Sequence, residues 1–190
     1  MPKLAALTRG LLCANITAKR GRYVVLLIAR KMSQLPFAQL KKVYEQSIKA
    51  AAEREYHNAP DVVLQAEMDL YDYFRNVFFK TENAWVCIWE EAGAAVSVLR
   101  LETYQDGLLI TGLETAAEFR GKGYATRLLR AVLSEVDANT PVYAHIHRWN
   151  KASVSVHRKC GFEKIANYST FLDGSTSTFY DTYGRNVVQH

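Results

Sequence analysis

A strand-to-helix turn with two glycines is the feature that most constrains this chain. The apolar residues 108–113 predict a strand, and apolar side chains recur at helical spacing over residues 128–136. Between them lies Arg120-Gly121-Lys122-Gly123-Tyr124-Ala125. The first turn of a helix has backbone N–H groups without an internal partner and carries partial positive charge. Because glycines let an anion approach those donors, the turn predicts a phosphate-binding helix start.

Two common nucleotide-binding patterns do not fit this turn. The Walker pattern needs a longer glycine spacing and ends in Gly-Lys-Ser/Thr. The dinucleotide fingerprint needs an early βαβ unit and a third glycine, where this chain has Arg127. A plain tight connection between strand and helix remains as the alternative interpretation.

Two stretches of the sequence carry a family resemblance. Arg120-x-x-Gly123-x-Ala125 resembles the acetyl-CoA pyrophosphate loop of the GNAT N-acetyltransferase superfamily, whose pattern is Arg/Gln-x-x-Gly-x-Gly/Ala. Residues 150–162 resemble its second signature, a helix that Asn150 begins and Gly161-Phe162 ends. The two stretches occur in the family's order and at about its separation. The resemblance covers residues 23–183 and implies acetyl-CoA as co-substrate.

Local patterns predict the fold class. Apolar alternation, helical spacing and turn residues give the order β-α-α-β-β-β-α-β-α-β-β, which is also the GNAT order. We therefore expect an α/β (α+β) fold with a mixed, mostly antiparallel sheet of about seven strands. The resemblance implies a splayed central strand pair, and about four helices flank the predicted sheet.

Composition limits the domain organisation and the partners. The chain has 190 residues, so we predict one domain over residues 22–190. Residues 1–21 are basic and lack acidic side chains, which favours an extension outside the fold, with an organellar transit peptide as the alternative. A net charge of +5 suits an anionic coenzyme. The sequence has no basic run with interleaved aromatic residues, so we expect no nucleic-acid partner. We also expect no membrane partner.

Cysteine usage and hydropathy indicate a cytoplasmic protein. Cys13, Cys87 and Cys160 are scattered and odd in number, so neither a disulfide framework nor a zinc site is predicted. Reduced thiols are typical of the cytoplasm. The longest apolar run, residues 24–29, is too short to span a bilayer.

The resemblance implies how the coenzyme binds. Backbone groups of the strand at Leu113, Glu114 and Thr115 would bind the pantetheine arm. The phosphates would contact Arg120 and the backbone of Gly121, Lys122, Gly123, Tyr124, Ala125 and Thr126. Asn150 would contact the pantetheine arm or an ordered water. Packing for Tyr124 and plain helix capping for Asn150 are the alternative roles.

The resemblance also identifies a candidate proton donor. His157 stands where the family usually has the tyrosine that protonates the leaving thiolate. Histidine can donate a proton near neutral pH, since its ordinary pKa is about 6.5. Alternatively, His157 packs or forms hydrogen bonds while water supplies the proton.

Carboxylates are the candidate general bases that deprotonate the amine. Strand alternation puts the side chain of Glu114 on the opposite face from Leu113 and Thr115. Glu102 lies on the adjacent strand, and His145 is a third candidate. Each carboxylate is alternatively a plain exposed strand residue. Glu102, Glu114 and Tyr104 together predict an acidic, aromatic pocket that suits a cationic amine.

Other chemistries are less well supported by the residues. His145 and His147 share a strand face, but two histidines alone do not predict a metal site. Cys160 lies near the end of a helix rather than at its electropositive start, which disfavours it as a nucleophile.

Three function classes follow. The first is transfer of an acetyl group to a primary amine of a small molecule or peptide by direct attack, with catalytic residues His157, Glu114 and Glu102. The second is an idle acyl-CoA-binding module, and the third, resting on charge alone, is a nucleic-acid binder. A homodimer is the expected assembly by resemblance.

Overall fold

A mixed sheet with helices on both faces organises the chain. The computed structural model describes residues 12–19, 22–56 and 61–187. The helices are α1 (Phe37–Val43), α2 (Glu45–Tyr56), α3 (Val62–Asn76), α4 (Tyr124–Glu135) and α5 (Lys151–Lys159). The strands are β1 (Leu12–Lys19), β2 (Arg22–Ala29), β3 (Trp85–Glu91), β4 (Ala94–Tyr104), β5 (Gly107–Thr115), β6 (Val142–His147), β7 (Glu163–Ala166), β8 (Ser169–Thr170), β9 (Thr176–Ser177) and β10 (Tyr180–Arg185).

The main sheet has eight strands in the order β1-β2-β3-β4-β5-β6-β10-β7. All neighbours are antiparallel except β5 and β6, so the mostly antiparallel sheet is confirmed. The eighth strand is β1, an edge strand within the stretch that the sequence placed outside the fold. Residues 1–11 lie outside the described residues, and the domain boundary at residue 22 stays a prediction.

Five helices replace the expected four because one helical segment is divided. The apolar spacing from Phe37 to Ala51 predicted a single helix, but α1 ends before Tyr44 and α2 begins after it. Helices α4 and α5 cover one face of the sheet, where Leu128, Leu129 and Val132 are buried. Helices α1 to α3 supply the apolar cluster on the other face.

The central pair of strands separates, as the resemblance implied. Strand β5 pairs with β4 from Gly107 to Thr115. Its pairing with β6 covers only residues 108–110 against residues 142–144. Residues 111–115 therefore have β4 on one side and a gap in the sheet on the other.

The chain ends in a strand arrangement that differs from the predicted hairpin. The sequence pattern predicted a hairpin in which residues 165–172 pair with residues 178–183 around Asp173-Gly174. Instead, β7 pairs with β10, and the turn at Asp173-Gly174 belongs to the short hairpin β8–β9. None of the helices in the described ranges is long and apolar enough to cross a membrane.

Candidate active site

A cleft of about 600 Å³ opens where β5 separates from β6. Its walls come from β5, the glycine turn, the first turn of α4, and α5. The lining residues are Leu113, Glu114, Thr115, Phe119, Arg120, Gly121, Gly123, Tyr124, Ala125, Thr126, Asn150, Ala152, Ser153, Val156 and Lys159. The structure thus brings together every predicted coenzyme-binding residue except Lys122, whose neighbours on both sides line the cleft.

The free edge of β5 faces this cleft with backbone groups. The Ser97 hydroxyl donates to the Glu114 carbonyl over 2.6 Å, so the backbone of Glu114 points toward β4. By alternation, the backbone groups of Leu113 and Thr115 point toward the gap. The Thr115 carbonyl accepts from Arg120 Nε at 3.0 Å. The Leu113 backbone and the Thr115 N–H are therefore positioned to bind an extended ligand as a strand would.

The glycine turn gives α4 an open first turn. Gly121 and Gly123 have φ angles of 75° and 80°, a left-handed conformation that favours glycine. Helix α4 begins directly after Gly123, and the first N–H bonded back to the turn is that of Arg127, to the Gly123 carbonyl at 3.1 Å. The N–H groups of Ala125 and Thr126 have no acceptor inside the helix. The cleft therefore ends at a helix start whose backbone donors could hold an anion.

Cations surround that helix start. The Lys122 ammonium donates to the Glu118 carbonyl at 2.9 Å. The Arg127 guanidinium lies 5.0 Å from the centre of the Tyr124 ring. Tyr124 also packs edge-on against Phe119, with ring centres 5.9 Å apart. The packing role considered for Tyr124 is thus present beside its position in the cleft wall.

Asn150 fulfils both positions considered for it. Its side-chain oxygen accepts the Ser153 N–H at 3.0 Å, which confirms the helix cap at the start of α5. Gly161, with a φ of 85°, follows the helix as predicted. Because Asn150 also lines the cleft, capping and ligand contact are compatible.

His157 does not line the cleft. Its side chain is 2% exposed and packs edge-on against Phe162, with ring centres 5.2 Å apart. Its Nδ1 donates to the Ser153 carbonyl at 2.8 Å, and burial lowers the pKa of the imidazole. This placement matches the packing alternative, so the proton-donor role stays a prediction that no contact in the cleft supports.

Glu114 lies at the junction of the cleft and the α2 side of the sheet. Its carboxylate accepts the Ser47 hydroxyl of α2, and its Oε2 is buried with no partner in the described structure. Burial raises the pKa of this carboxyl, although the Ser47 hydrogen bond and the charges of Arg120 and Arg100 oppose the shift. A carboxylate with a raised pKa and a vacant oxygen is suited to accept a proton.

The other predicted acceptor-side residues lie outside the cleft. Glu102 is 5% exposed on β4, on the face that α1 to α3 cover. Tyr104 donates its hydroxyl to the Thr170 carbonyl at 2.8 Å and packs 5.3 Å from the ring of His145. Both nitrogens of His145 are buried without a partner among the described residues, and burial lowers the pKa of the ring.

No group of three or more metal-ligating side chains occurs in the ranges that the structure describes. His147, the second histidine of the pair on β6, packs edge-on against Tyr180 with ring centres 5.1 Å apart. The two histidines therefore have aromatic neighbours, as packing residues of a strand do.

Arg100 on β4 is a polar residue of this region that the sequence interpretation missed. Its guanidinium carbon lies 5.5–6.0 Å from four aromatic ring centres, those of Tyr44, Tyr73, Phe74 and Phe78. It also lies over Gly112, where an added Cβ would be 2.7 Å from Nε. The available signal was a charged residue between Leu99 and Leu101, within a strand buried on both faces.

Solved structures share this architecture at low sequence identity. The chain is similar to the PaiA N-acetyltransferase of Thermoplasma acidophilum in complex with coenzyme A. The match covers 84% of this chain and 98% of the other, with 12% identity and a TM-score of 0.55. For AAC(6')-Ib in complex with ribostamycin and coenzyme A the coverage is 85% and 92%, the identity 16% and the TM-score 0.60. The match to an N-acetyltransferase of Staphylococcus aureus covers 85% of this chain and 97% of the other, with 20% identity and a TM-score of 0.53.

The sequence itself was also compared with curated proteins and with family profiles. No curated protein matches it. Residues 46–162, more than half of the chain, match the profile of the acetyltransferase (GNAT) family. Together with the open start of α4 and the gap beside β5, this match shows that the chain belongs to the acetyltransferase (GNAT) family.

Proposed function

We propose that this protein is an N-acetyltransferase that moves an acetyl group from acetyl-CoA to a primary amine of a small molecule or peptide. The family uses acetyl-CoA as co-substrate, and two similar structures were solved with coenzyme A. One observation carries the proposal: the cleft joins the free edge of β5 to the open first turn of α4. The residues fit the coenzyme, because phosphates match the helix start and an extended arm matches the strand edge.

The proposed reaction is direct attack without a covalent enzyme intermediate. The amine nitrogen bonds to the acetyl carbon, the carbon–sulfur bond breaks, and the thiolate leaves and takes up a proton. A backbone N–H at the β5 edge would polarise the thioester carbonyl. Cys160 is 8% exposed, it is absent from the cleft lining, and burial raises the pKa of its thiol, so we assign it no nucleophilic role.

Glu114 is the proton acceptor in this proposal. It is the one predicted base that lines the cleft, and its Oε2 has no partner in the described structure. Glu102 and His145 lie on neighbouring strands outside the cleft lining, so we place them second. The proton given to the thiolate is assigned to water, since His157 faces the core.

A second candidate is an idle acyl-CoA-binding module. The observation that favours it is the burial of His157 at the position where the family usually has its catalytic tyrosine. Such a module would use the same cleft and lack an acceptor site.

An acceptor screen by mass spectrometry tests the proposal. The full chain is incubated with acetyl-CoA and pooled amines, including peptides, polyamines, amino acids and aminoglycosides, and acetylated products are sought. We expect an acetylated amine with the wild type and at least a hundredfold slower formation with Glu114→Gln, since general-base catalysis contributes about 10²–10⁴-fold. Binding of acetyl-CoA without any acetylated amine would favour the idle module.

Location and assembly belong to the proposal as well. Cys87 and Cys160 are free, buried thiols, which supports a reducing compartment such as the cytoplasm. The homodimer expected from the resemblance stays a prediction that sedimentation equilibrium would test.

A further inference from the structure

We propose that the surface formed by α5, the loop before it and β10 binds single-stranded nucleic acid. The inference does not depend on the proposed acetyl transfer. The sequence alone does not predict such a partner, because it has no basic run with interleaved aromatic residues. The fold, however, brings basic and aromatic residues from separate segments next to one another.

An open cavity of about 440 Å³ lies beside α5 and is lined by cations. Among the described residues that line it, none is acidic and four are basic, namely Arg148, Lys151, Arg158 and Lys159. Residues 142–187, which include β6, α5, β7 and β10, contain six Lys or Arg and three Asp or Glu. This part of the chain therefore has a local excess of positive charge that favours an anionic ligand.

Asp181 of β10 does not offset these charges, because it already has two cationic partners. It is 7% exposed and accepts from Arg148 Nε at 3.0 Å and from Lys164 Nζ at 2.9 Å. Both of its oxygens are thus paired on the protein side. The remaining cations of the cavity need a negative charge from elsewhere.

These remaining cations are Lys151, Arg158 and Lys159. Their side chains are exposed and have no hydrogen bond or ion pair with any described residue. Arg158 and Lys159 suit the last turn of α5, but Lys151 lies in the first turn, where the helix dipole disfavours a cation. Because an α-helix rises 1.5 Å per residue, Lys151 and Arg158 are about 10 Å apart along the axis. A polymer with repeated phosphates can reach both, whereas one phosphate cannot.

Exposed aromatic residues border the same cavity. Trp149 precedes Lys151 by two residues and is 80% exposed, and Phe179 is 68% exposed. The Phe179 carbonyl accepts the Arg148 N–H at 3.1 Å, so both aromatic residues lie next to Arg148. Tyr168, which is 54% exposed, follows the residue whose carbonyl accepts from Arg148 Nη2. Unpaired bases stack on such rings while neighbouring cations bind the phosphates.

This combination favours single-stranded nucleic acid over other polyanions. Cations alone would fit an acidic protein equally well, but exposed flat rings beside them match bases. In a duplex the bases stack on one another and do not reach such rings. Lys159 lines both this cavity and the coenzyme cleft, so the two sites adjoin and have to be separated by experiment.

Fluorescence anisotropy with labelled oligouridine tests the inference on the full chain saturated with coenzyme A. The coenzyme then fills its own phosphate site. We expect saturable binding that weakens about twentyfold between about 50 mM and about 200 mM salt, because neutralising three phosphates of a single strand gives a log–log slope of about −2. No saturable binding at the lower salt concentration would overturn the inference. Binding that coenzyme A abolishes would also overturn it, because the oligonucleotide would then occupy the coenzyme's site.

Surface variants separate the contribution of charge from that of stacking. Lys151→Gln/Arg158→Gln should reduce the salt slope to about a third of the wild-type value, since one of the three unpaired cations is left. Trp149→Ala should weaken binding about fivefold or more without changing the slope, because stacking of one base contributes that factor. An unchanged affinity of Trp149→Ala would contradict the inference.

A charge-matched control uses the opposite side of the sheet. Arg75 on α3 and Lys80, which follows α3, are exposed and line none of the described cavities named here. Arg75→Gln/Lys80→Gln removes the same charge as the cavity variant and should leave affinity and salt slope unchanged. Equal losses in the two double variants would show an effect of net charge alone and overturn the inference.

Polyglutamate of matched length tests the acidic-protein alternative. We expect it to compete poorly with oligouridine, because its side chains do not stack on aromatic rings. Competition as strong as that of unlabelled oligouridine would identify the surface as a docking site for an acidic protein and contradict the proposal.

Discussion

At the scale of single residues, Glu114 is the one on which the proposed chemistry of the cleft most depends. Its backbone faces β4, its carboxylate accepts the Ser47 hydroxyl of α2, and the residue is one of those that line the cleft. Burial raises its pKa because the charged form loses water that the Ser47 hydroxyl replaces only in part. A residue that is costly to ionise and lines a cleft is typical of a functional position.

Glu114→Gln should stabilise the folded protein at neutral pH. Because the pKa of Glu114 is raised on folding, the stability that the protonated group provides is complete below the unfolded value of about 4.3 and is lost as pH rises through the folded value. Glutamine resembles the protonated form, so the variant should match the wild type near pH 4 and exceed it at pH 7. Denaturant titrations at both values, with Glu53→Gln on exposed α2 surface as control, measure this difference. Lower stability of the variant at pH 7 would show that the carboxylate is stabilising.

His157→Ala should reduce stability while turnover per folded molecule is retained. The substitution removes a buried ring that packs on Phe162 and leaves a cavity, which costs about 2–4 kcal/mol. Chemical denaturation gives the stability, and kinetics scaled to the folded fraction give the turnover. A loss of turnover with unchanged stability and unchanged acetyl-CoA affinity would restore His157 as the proton donor.

Among the elements, the glycine turn and α4 together form the proposed binding site for the phosphates. The turn reverses the chain with two left-handed residues, and the helix then presents N–H groups to the cleft. A Cβ atom added at either glycine would meet no atom of the described residues within 4 Å, its chain neighbours apart. Within the described structure, glycine is therefore favoured here by the backbone conformation and not by crowding.

Gly123→Ala should weaken acetyl-CoA binding, and a matched glycine provides the control. Gly174, in the β8–β9 hairpin, has a φ of 82° and equally open surroundings, against 80° for Gly123. Both substitutions should cost about 1–2 kcal/mol of stability, because alanine disfavours the left-handed region. Isothermal titration should show weaker binding of acetyl-CoA for Gly123→Ala alone. Equal affinity of the two variants would mean that the turn does not contact the coenzyme.

At the scale of the whole molecule, local signals predicted the fold better than the long-range contacts around Glu114. The strand, glycine turn and helix over residues 108–136 depend on neighbours in sequence, as does the helix from Asn150 to Gly161. The region around Glu114 depends on α1 to α3 folding over β4 and β5, which brings Tyr44 and Ser47 to Arg100 and Glu114. Such contacts join residues far apart in sequence, so no local pattern reveals them.

The burial of His157 shows the same limit for a single residue. The sequence places it on α5 at the family's tyrosine position, but only packing against Phe162 decides which way the ring points. The extra edge strand β1 is a further example, because it lies within residues 1–21, whose basic composition did not predict pairing with β2.

Amide hydrogen exchange of the full chain, with and without acetyl-CoA, tests the central claim most directly. The claim is that the coenzyme occupies the gap between β5 and β6 and reaches the start of α4. We predict slower exchange over residues 113–126 and 150–156, and unchanged exchange in α3 (Val62–Asn76), which lies outside the cleft lining. Unchanged exchange in the cleft segments at saturating acetyl-CoA, or protection confined to α3, would contradict the account.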